Sequence, residues 1–173
     1  GLQTHFANYA DDVCNYLNIE KDKMIVDIGS NDGSLLQKFK SLKHKVIGVE
    51  PATETAKTAN DNSIPTYSEF FDKKLAKQIL SENGTADIIT INNLFANIDD
   101  LDSFILAVDI LLDLEGVIVI ESSYLIDMIQ NMVFDFIYHE HLSYFSIKPL
   151  IIFFKNYGMN LIHVQKVATK GGS

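Results

Sequence analysis

Short apolar runs alternate with amphipathic segments along most of the chain. Runs such as 24–29 and 86–92 are apolar on both faces, which is typical of strands buried inside a parallel sheet. Between them, apolar residues recur at helical spacing, as in 34–42. Strands separated by helices in this way predict an α/β fold with helices on both faces of the sheet. The predicted strands are 24–29, 45–50, 64–67, 86–92, 116–122 and 160–167, and the predicted helices are 34–42, 53–61, 72–82, 101–112, 124–131 and 148–158.

Local signals define the ends of several of these elements. Thr53 is a candidate N-cap for the helix that follows it, and Pro65 favours an edge position for the third strand. Gly84 and Gly158 are candidate helix ends. The opening residues 1–20 are predicted to form a helix that covers one end of the domain. The apolar face of that helix carries Phe6, Tyr9, Val13, Tyr16 and Leu17.

Composition narrows the class of protein. The 173 residues fit one domain. The net charge is -9 and every basic residue is lysine, so the bidentate arginine contacts that read phosphates and guanines are missing and no nucleic-acid partner is expected. Cys14 is the only cysteine, which excludes a disulfide framework and a cysteine-based zinc site. With no signal-peptide pattern and no apolar run long enough for a bilayer, a soluble, cytoplasmic protein without a membrane partner is expected.

A turn with two glycines and two acids follows the first predicted strand, in the sequence VDIGSNDGSLL (26–36). Gly29 and Gly33 allow a tight turn and a close approach of the backbone to a ligand. The spacing is not the GxGxxG of dinucleotide sites, and Asp32 would repel a pyrophosphate. An acid here suits a ligand with positive charge or hydroxyl groups. The alternative is an ordinary turn between a strand and a helix.

Polar residues also end the second and fourth predicted strands. Glu50 is placed to accept both hydroxyls of a ribose. Asn92 and Asn93 end the fourth strand at the same edge of the sheet, although asparagine is also a common turn residue. Phe70 and Phe71 follow the third strand, and either can pack on an adenine or in the core.

The segment FDFIYHEHLSYFS (134–146) places two of the five histidines around one glutamate in an aromatic run. This arrangement is typical of a small reactive pocket in which a histidine acts as a base near neutral pH. Two alternatives remain open. A structural aromatic cluster would need no ligand, and a metal site is disfavoured because the HExxH pattern is absent. His5, His44 and His163 are expected to be surface or packing residues.

These patterns, with VIGVEPA, ADIITINNLFANI and the closing KGGS, resemble the S-adenosylmethionine-dependent C-methyltransferases that act on nucleotide-linked keto-deoxysugars. The resemblance runs from His5 to Ser173. It implies a Rossmann-like class I methyltransferase fold, with a doubly wound, mainly parallel sheet whose last strand is truncated. It also implies a single domain, 1–173, made of the helical cover 1–20, a cofactor-binding half 24–122 and an acceptor-site half 123–173.

The resemblance further implies a role for each matching residue. S-adenosylmethionine would be the methyl donor, S-adenosylhomocysteine the product and a nucleotide sugar the small-molecule substrate. His141 would be the base that removes the proton beside the ketone, assisted by Tyr138, His139 and Glu140. Asn97 and Tyr144 would contact the substrate. The cofactor would be held by Asp27, Gly29, Ser30, Asn31, Asp32, Gly33, Glu50, Phe71, Asn92 and Asn93.

Two departures from the family pattern limit this expectation. Asn97 stands in FAN where the family commonly has a histidine, and asparagine cannot shuttle a proton. The cysteine-rich zinc module and the second α/β domain that such enzymes carry have no counterpart in this chain, so a domain excerpt is expected. Methylation of oxygen or nitrogen on another small acceptor, and a non-catalytic cofactor-binding domain, are the alternatives. An NAD enzyme is disfavoured by the glycine spacing.

Overall fold

Five parallel strands form one sheet, in which the third strand along the chain lies at one side and is followed by the second, the first, the fourth and the fifth. The computed structural model describes residues 2–135, 137–167 and 172–173. The strands are β1 (Met24–Ile28), β2 (Lys45–Val49), β3 (Thr66–Tyr67), β4 (Ala86–Asn92) and β5 (Leu112–Glu121). The helices are α1 (Leu2–Leu17), α2 (Ser34–Ser41), α3 (Thr53–Asp61), α4 (Lys73–Asn83), α5 (Leu101–Leu111), α6 (Leu125–Gln130) and α7 (Ile147–Lys155), with a 3₁₀ turn at Phe95–Asn97.

The strand order reverses between β1 and β4. The chain runs outward from β1 to β2 and β3, and then returns to pair β4 with the other side of β1. The register pairs Asp27 of β1 with Thr90 of β4. In sheets of this kind ligands bind beyond the carboxyl ends of the strands, next to the reversal. We call the edge where β1, β2, β4 and β5 end the carboxyl edge.

Helices cover both faces of the sheet, as predicted. On one face, α4, α5 and α7 pack on buried side chains of all four long strands around Phe95 and Ile105. On the other face, α1 and α2 pack around Phe39. The short hydrophobic strands need this cover because both of their faces are apolar. The predicted doubly wound, Rossmann-like α/β fold is therefore confirmed.

The predicted sixth strand is wrong in the described part of the chain. Residues 160–167 form no strand. Leu161, Ile162 and Val164 are largely exposed, and a strand requires a neighbour that completes its hydrogen-bond ladder. The segment instead runs past α1, where the Tyr16 hydroxyl donates to the Ile162 carbonyl at 3.1 Å.

Several predicted ends also shift by one to four residues. Thr53 is the first residue of α3 rather than its cap, and Ala52 occupies the N-cap position. The Glu50 carboxylate accepts from the Ala52 N–H at 2.9 Å, which holds Ala52 at the cap position, so the helix starts one residue earlier than a cap at Thr53 would place it. β5 begins at Leu112 instead of residue 116. α7 ends at Lys155, and Gly158 lies in the turn that follows with a positive φ of 74°.

Phe95 is the side chain on which the aromatic part of the core depends. It is fully buried, and its ring lies 5.1 Å from that of Phe145 and 5.9 Å from that of Phe154. We expect Phe95→Ala to lower the free energy of unfolding by about 3–5 kcal/mol, since it removes a buried ring and leaves a cavity. The matched control is Phe70→Ala, because Phe70 is 80% exposed. Equal effects in urea denaturation would contradict this packing.

Candidate active site

The glycine turn after β1 is held tightly against β2. Gly29 and Gly33 both have φ near +79°, a region that favours glycine. The N–H groups of Gly29 and Ser30 donate to the Val49 carbonyl at 2.8 and 3.1 Å. A Cβ atom at Gly33 would lie 3.0 Å from the side chain of Ile64. The turn therefore presents bare backbone at the carboxyl edge.

Two carboxylates organise the backbone around this turn. Glu50, which follows β2, accepts from the N–H of Asn31 at 3.1 Å and from the N–H of Ala52 at 2.9 Å. The Asp32 carboxylate accepts from the Ser34 N–H at 3.0 Å, at the start of α2. Neither acid belongs to an ion pair among the described residues. The turn is therefore lined with uncompensated negative charge.

Asp27 adds a third acid beneath the turn. Its side chain is buried, and the Thr90 hydroxyl donates to it at 2.7 Å. Burial raises the pKa of Asp27 to about 7; the hydrogen bond from Thr90 acts in the opposite direction, and the charge of Glu50 adds to the increase. A carboxyl with such a pKa gains charge readily when a cation binds beside it.

Several buried polar atoms near the carboxyl edge have no hydrogen-bond partner in the described part of the chain. Buried polar groups are normally paired with protein or with water, so their concentration here indicates a place for a polar ligand. Donors and acceptors occur together, which fits a ligand with both charges, such as an α-amino acid. The atoms are the Tyr9 hydroxyl, Ser30 Oγ, Asn92 Oδ1 and Nδ2, and Asn97 Oδ1.

The histidine loop, residues 137–146, is fixed to the same edge of the sheet. The N–H groups of Leu142 and Ser143 both donate to the Ala96 carbonyl, at 2.8 and 3.1 Å. Ala96 lies in the 3₁₀ turn that follows β4. At the end of the loop, the Phe145 carbonyl accepts from the Leu125 N–H at the start of α6. The loop therefore lies beyond the ends of β4 and β5.

Within the histidine loop, the aromatic side chains surround His141. The Tyr138 ring lies 4.4 Å from the imidazole of His141, and the Tyr144 ring lies 5.9 Å from it, edge to face. His139 and Glu140 are exposed on the same loop. The arrangement puts an imidazole and two phenols in one small region, next to the turn that contains Asn97.

Comparison with known proteins identifies the family. A family described as a methyltransferase domain matches residues 3–164. The chain belongs to this family. The C-methyltransferase NovU of Streptomyces niveus is 31% identical over 169 residues, which cover 98% of this chain. This methyltransferase domain spans about 40% of the length of that relative. The predicted methyltransferase class is therefore confirmed.

Solved structures share the fold of this methyltransferase domain. The YcgJ protein of Bacillus subtilis has a TM-score of 0.69 at 16% identity, covering 95% of this chain and 72% of its own. The plantazolicin methyltransferase BpumL, solved with S-adenosylhomocysteine and a pentazolic desmethylPZN analogue, has a TM-score of 0.67 at 17% identity, covering 90% of this chain and 65% of its own. At this level of identity the likeness shows the fold alone.

Most of the predicted site residues lie at the carboxyl edge of this domain. The cofactor residues from Asp27 to Gly33, with Glu50, surround the glycine turn, and Asn92 and Asn93 end β4. Phe71 follows β3, and its half-buried ring packs edge-on against Phe104 of α5. Its neighbour Phe70 is 80% exposed.

The sequence did not identify four residues of this region. Tyr9 lies on the apolar face of the first helix and Thr90 lies within an apolar strand, so the sequence pattern predicts both as core residues. Glu121 is an acid at the end of β5. Glu50 was identified from the same pattern, an acid at the end of a strand, so the sequence could also have identified Glu121. His5 was expected to be a surface or packing residue, but its Nε2 lies 2.9 Å from the Glu121 carboxylate. The reason is that α1 extends to the carboxyl edge.

Two kinds of feature are absent from the described residues. No group of three or more histidine, cysteine and acidic side chains there is arranged to hold a metal ion. No helix within the described ranges has the length and apolar character needed to cross a bilayer.

Burial of Asp27 gives a pH-dependent cost to folding. The pKa of Asp27 is higher in the folded than in the unfolded chain. The contribution of Asp27 to the free energy of unfolding is therefore fully present below pH 4, and it is lost as the pH rises through about 7. Asp27→Asn keeps an oxygen that can accept from Thr90 but does not titrate. We expect its free energy of unfolding to rise relative to that of the wild type, by about a few kcal/mol in total, as the pH increases over this interval. Thermal denaturation between pH 4 and 8 measures the difference.

The matched control for this change is Asp109→Asn on the exposed side of α5. It should follow the wild type at every pH. A constant difference between Asp27→Asn and the wild type would contradict the buried, titrating carboxyl.

Proposed function

We propose that this domain uses S-adenosylmethionine to methylate a carbon atom of a nucleotide-linked keto-deoxysugar. The donor is supported by membership of the methyltransferase family and by the acid-lined turn. The carbon acceptor is supported by the relative NovU, whose name describes a C-methyltransferase. The sugar nucleotide is supported by the family resemblance of the segment YHEHLSYFS and the closing GGS.

The residues of the glycine turn suit the proposed cofactor. When bound, S-adenosylmethionine supplies a methyl group that is already activated by its sulfonium charge. Asp27 and Asp32 provide negative charge for the cationic part of the molecule, and the bare backbone between Gly29 and Gly33 allows close approach. Glu50 has carboxylate lone pairs left for ribose hydroxyls, because its two backbone partners use only part of its capacity.

His141 is the proposed base. A hydrogen beside a ketone can be removed when a base lies close and the developing oxyanion receives a hydrogen bond. The imidazole of His141 packs between the rings of Tyr138 and Tyr144, which restricts its orientation. Tyr138 and His139 are the proposed donors to the enolate oxygen, and Glu140 is the proposed acid that orients an imidazole.

The observation that carries this proposal is the attachment of the histidine loop to Ala96. Carbon methylation requires the base and the methyl donor to approach the same carbon atom, so alignment accounts for much of the catalysis. The two hydrogen bonds to Ala96 tie the loop to the strand that ends in Asn92 and Asn93. Asn97 in the same turn can then hydrogen-bond the acceptor without taking part in proton transfer.

Proton exchange tests the base directly. We expect the 173-residue chain to exchange the hydrogen beside the ketone of a nucleoside-diphosphate keto-deoxysugar for deuterium, as followed by NMR. His141→Ala should lower the exchange rate at least 100-fold, because general bases contribute about 10²–10⁴. His163→Ala is the matched control, because this exposed histidine lies outside the histidine loop, against the ring of Tyr16, and it should retain the full rate. Unchanged exchange in His141→Ala would rule out His141 as the base.

Calorimetric titration separates the alternatives. We expect S-adenosylhomocysteine to bind and NAD not to bind. Binding of S-adenosylhomocysteine without any ketone exchange would favour methylation of oxygen or nitrogen, or a non-catalytic cofactor-binding role. Binding of NAD in place of S-adenosylhomocysteine would contradict the methyl-donor site.

A further inference from the structure

Helix α1 brings its first turns to the carboxyl edge. His5 contacts Glu121, the last residue of β5, at 2.9 Å. Tyr9 follows one turn later on the same side of the helix, and its ring lies 6.3 Å from that of His5. The apolar side of α1 packs with α2 on the face of the sheet. The helix is therefore anchored, with Tyr9 at the junction between the core and the carboxyl edge.

The hydroxyl of Tyr9 is buried and has no hydrogen-bond partner among the described residues. The Oδ1 and Nδ2 atoms of Asn92 are also buried without a hydrogen-bond partner among the described residues. Burial and the charges of Asp27 and Glu121 raise the pKa of the phenol, and the Asn92 side chain lies near enough to lower that pKa as a hydrogen-bonding group, although the Tyr9 and Asn92 side chains form no well-aligned hydrogen bond. Buried polar groups left without partners are rare, because each one loses its hydration without compensation.

The phenol can act as a donor at this position. Burial raises the pKa of Tyr9 well above its ordinary value, the negative charge of Asp27 adds to the increase, and the Asn92 amide opposes it. The hydroxyl therefore keeps its proton. The local groups then form a mixed set: Tyr9 and Asn92 Nδ2 donate, whereas Asn92 Oδ1 and the Asp27 carboxyl accept.

We propose that Tyr9 is a cofactor-positioning residue whose hydroxyl, together with Asn92, holds the α-amino acid end of S-adenosylmethionine. The inference rests on the proposed cofactor. The donors of the set suit a carboxylate and the acceptors suit an ammonium group, and an α-amino acid carries both on one carbon atom. The adenosine part of the molecule offers no such pair of charges. Tyr9 therefore recognises only the amino-acid end.

Ligand pairs that differ in this end test the assignment. S-adenosylhomocysteine carries the amino acid, whereas 5′-methylthioadenosine keeps the adenosine and the thioether but lacks it. In calorimetric titrations, we expect Tyr9→Phe to weaken S-adenosylhomocysteine binding about tenfold, as for a lost hydrogen bond to a charged group. The same change should leave 5′-methylthioadenosine binding within about twofold of the wild type, since a neutral contact elsewhere is untouched.

Tyr16→Phe is the matched control. Tyr16 lies on the same helix, but its hydroxyl donates to the Ile162 carbonyl at the surface, so both ligands should bind as to the wild type. Thermal denaturation without ligand should show Tyr9→Phe no less stable than the wild type, because the hydroxyl makes no well-formed hydrogen bond to any described residue.

Each other outcome has a defined meaning. If Tyr9→Phe weakens both ligands equally, or neither, the assignment of Tyr9 is wrong while the proposed cofactor stands. If Tyr9→Phe unfolds more readily than Tyr16→Phe, the hydroxyl serves the fold and the assignment is overturned. If the wild type binds neither ligand, the proposed cofactor fails, and the role of Tyr9 fails with it.

Discussion

The carbonyl oxygen of Ala96 joins the two halves of the site. It accepts two N–H groups from the histidine loop, and it lies in the 3₁₀ turn directly after β4. Together with the bond from the Leu125 N–H to the Phe145 carbonyl, these bonds hold a loop of which several residues are exposed. With them, the imidazole of His141 is tied to the strand that runs beside the glycine turn. The proposed placement of a base beside the methyl donor depends on that connection.

The cofactor side of the site combines acids with backbone groups in a way that costs stability. Asp27 is buried with a raised pKa, and the glycine turn uses left-handed backbone conformations. Buried polar atoms of Ser30, Asn92 and Asn97 that have no hydrogen-bond partner among the described residues add to the cost. A cationic ligand with hydrogen-bonding groups would offset these costs on binding. Strained backbone and shifted pKa values are commonly found at ligand sites for this reason. The extensive cores on both faces of the sheet maintain the fold despite them.

Much of the fold follows from the sequence because the strands are short, apolar on both faces and separated by amphipathic helices. The glycine turn and Glu50 are also recognisable, since their residue types occur at strand ends. The sequence was least informative where tertiary contacts decide. Residues 160–167 alternate like a strand but have no strand beside them in the described structure. Tyr9 belongs to a regular helical face, and only the packing of α1 brings its hydroxyl to the carboxyl edge.

Backbone NMR during titration with S-adenosylhomocysteine tests the central claim most directly, namely that the glycine turn and the histidine loop share one ligand site. The account predicts that the amide signals of Gly29 and Gly33 shift together with those of Leu142 and Ser143, along a single binding curve. Gly84, at the opposite edge of the sheet where β4 begins, should stay unchanged. Shifts confined to the glycine turn, with the histidine loop unaffected, would contradict the claim.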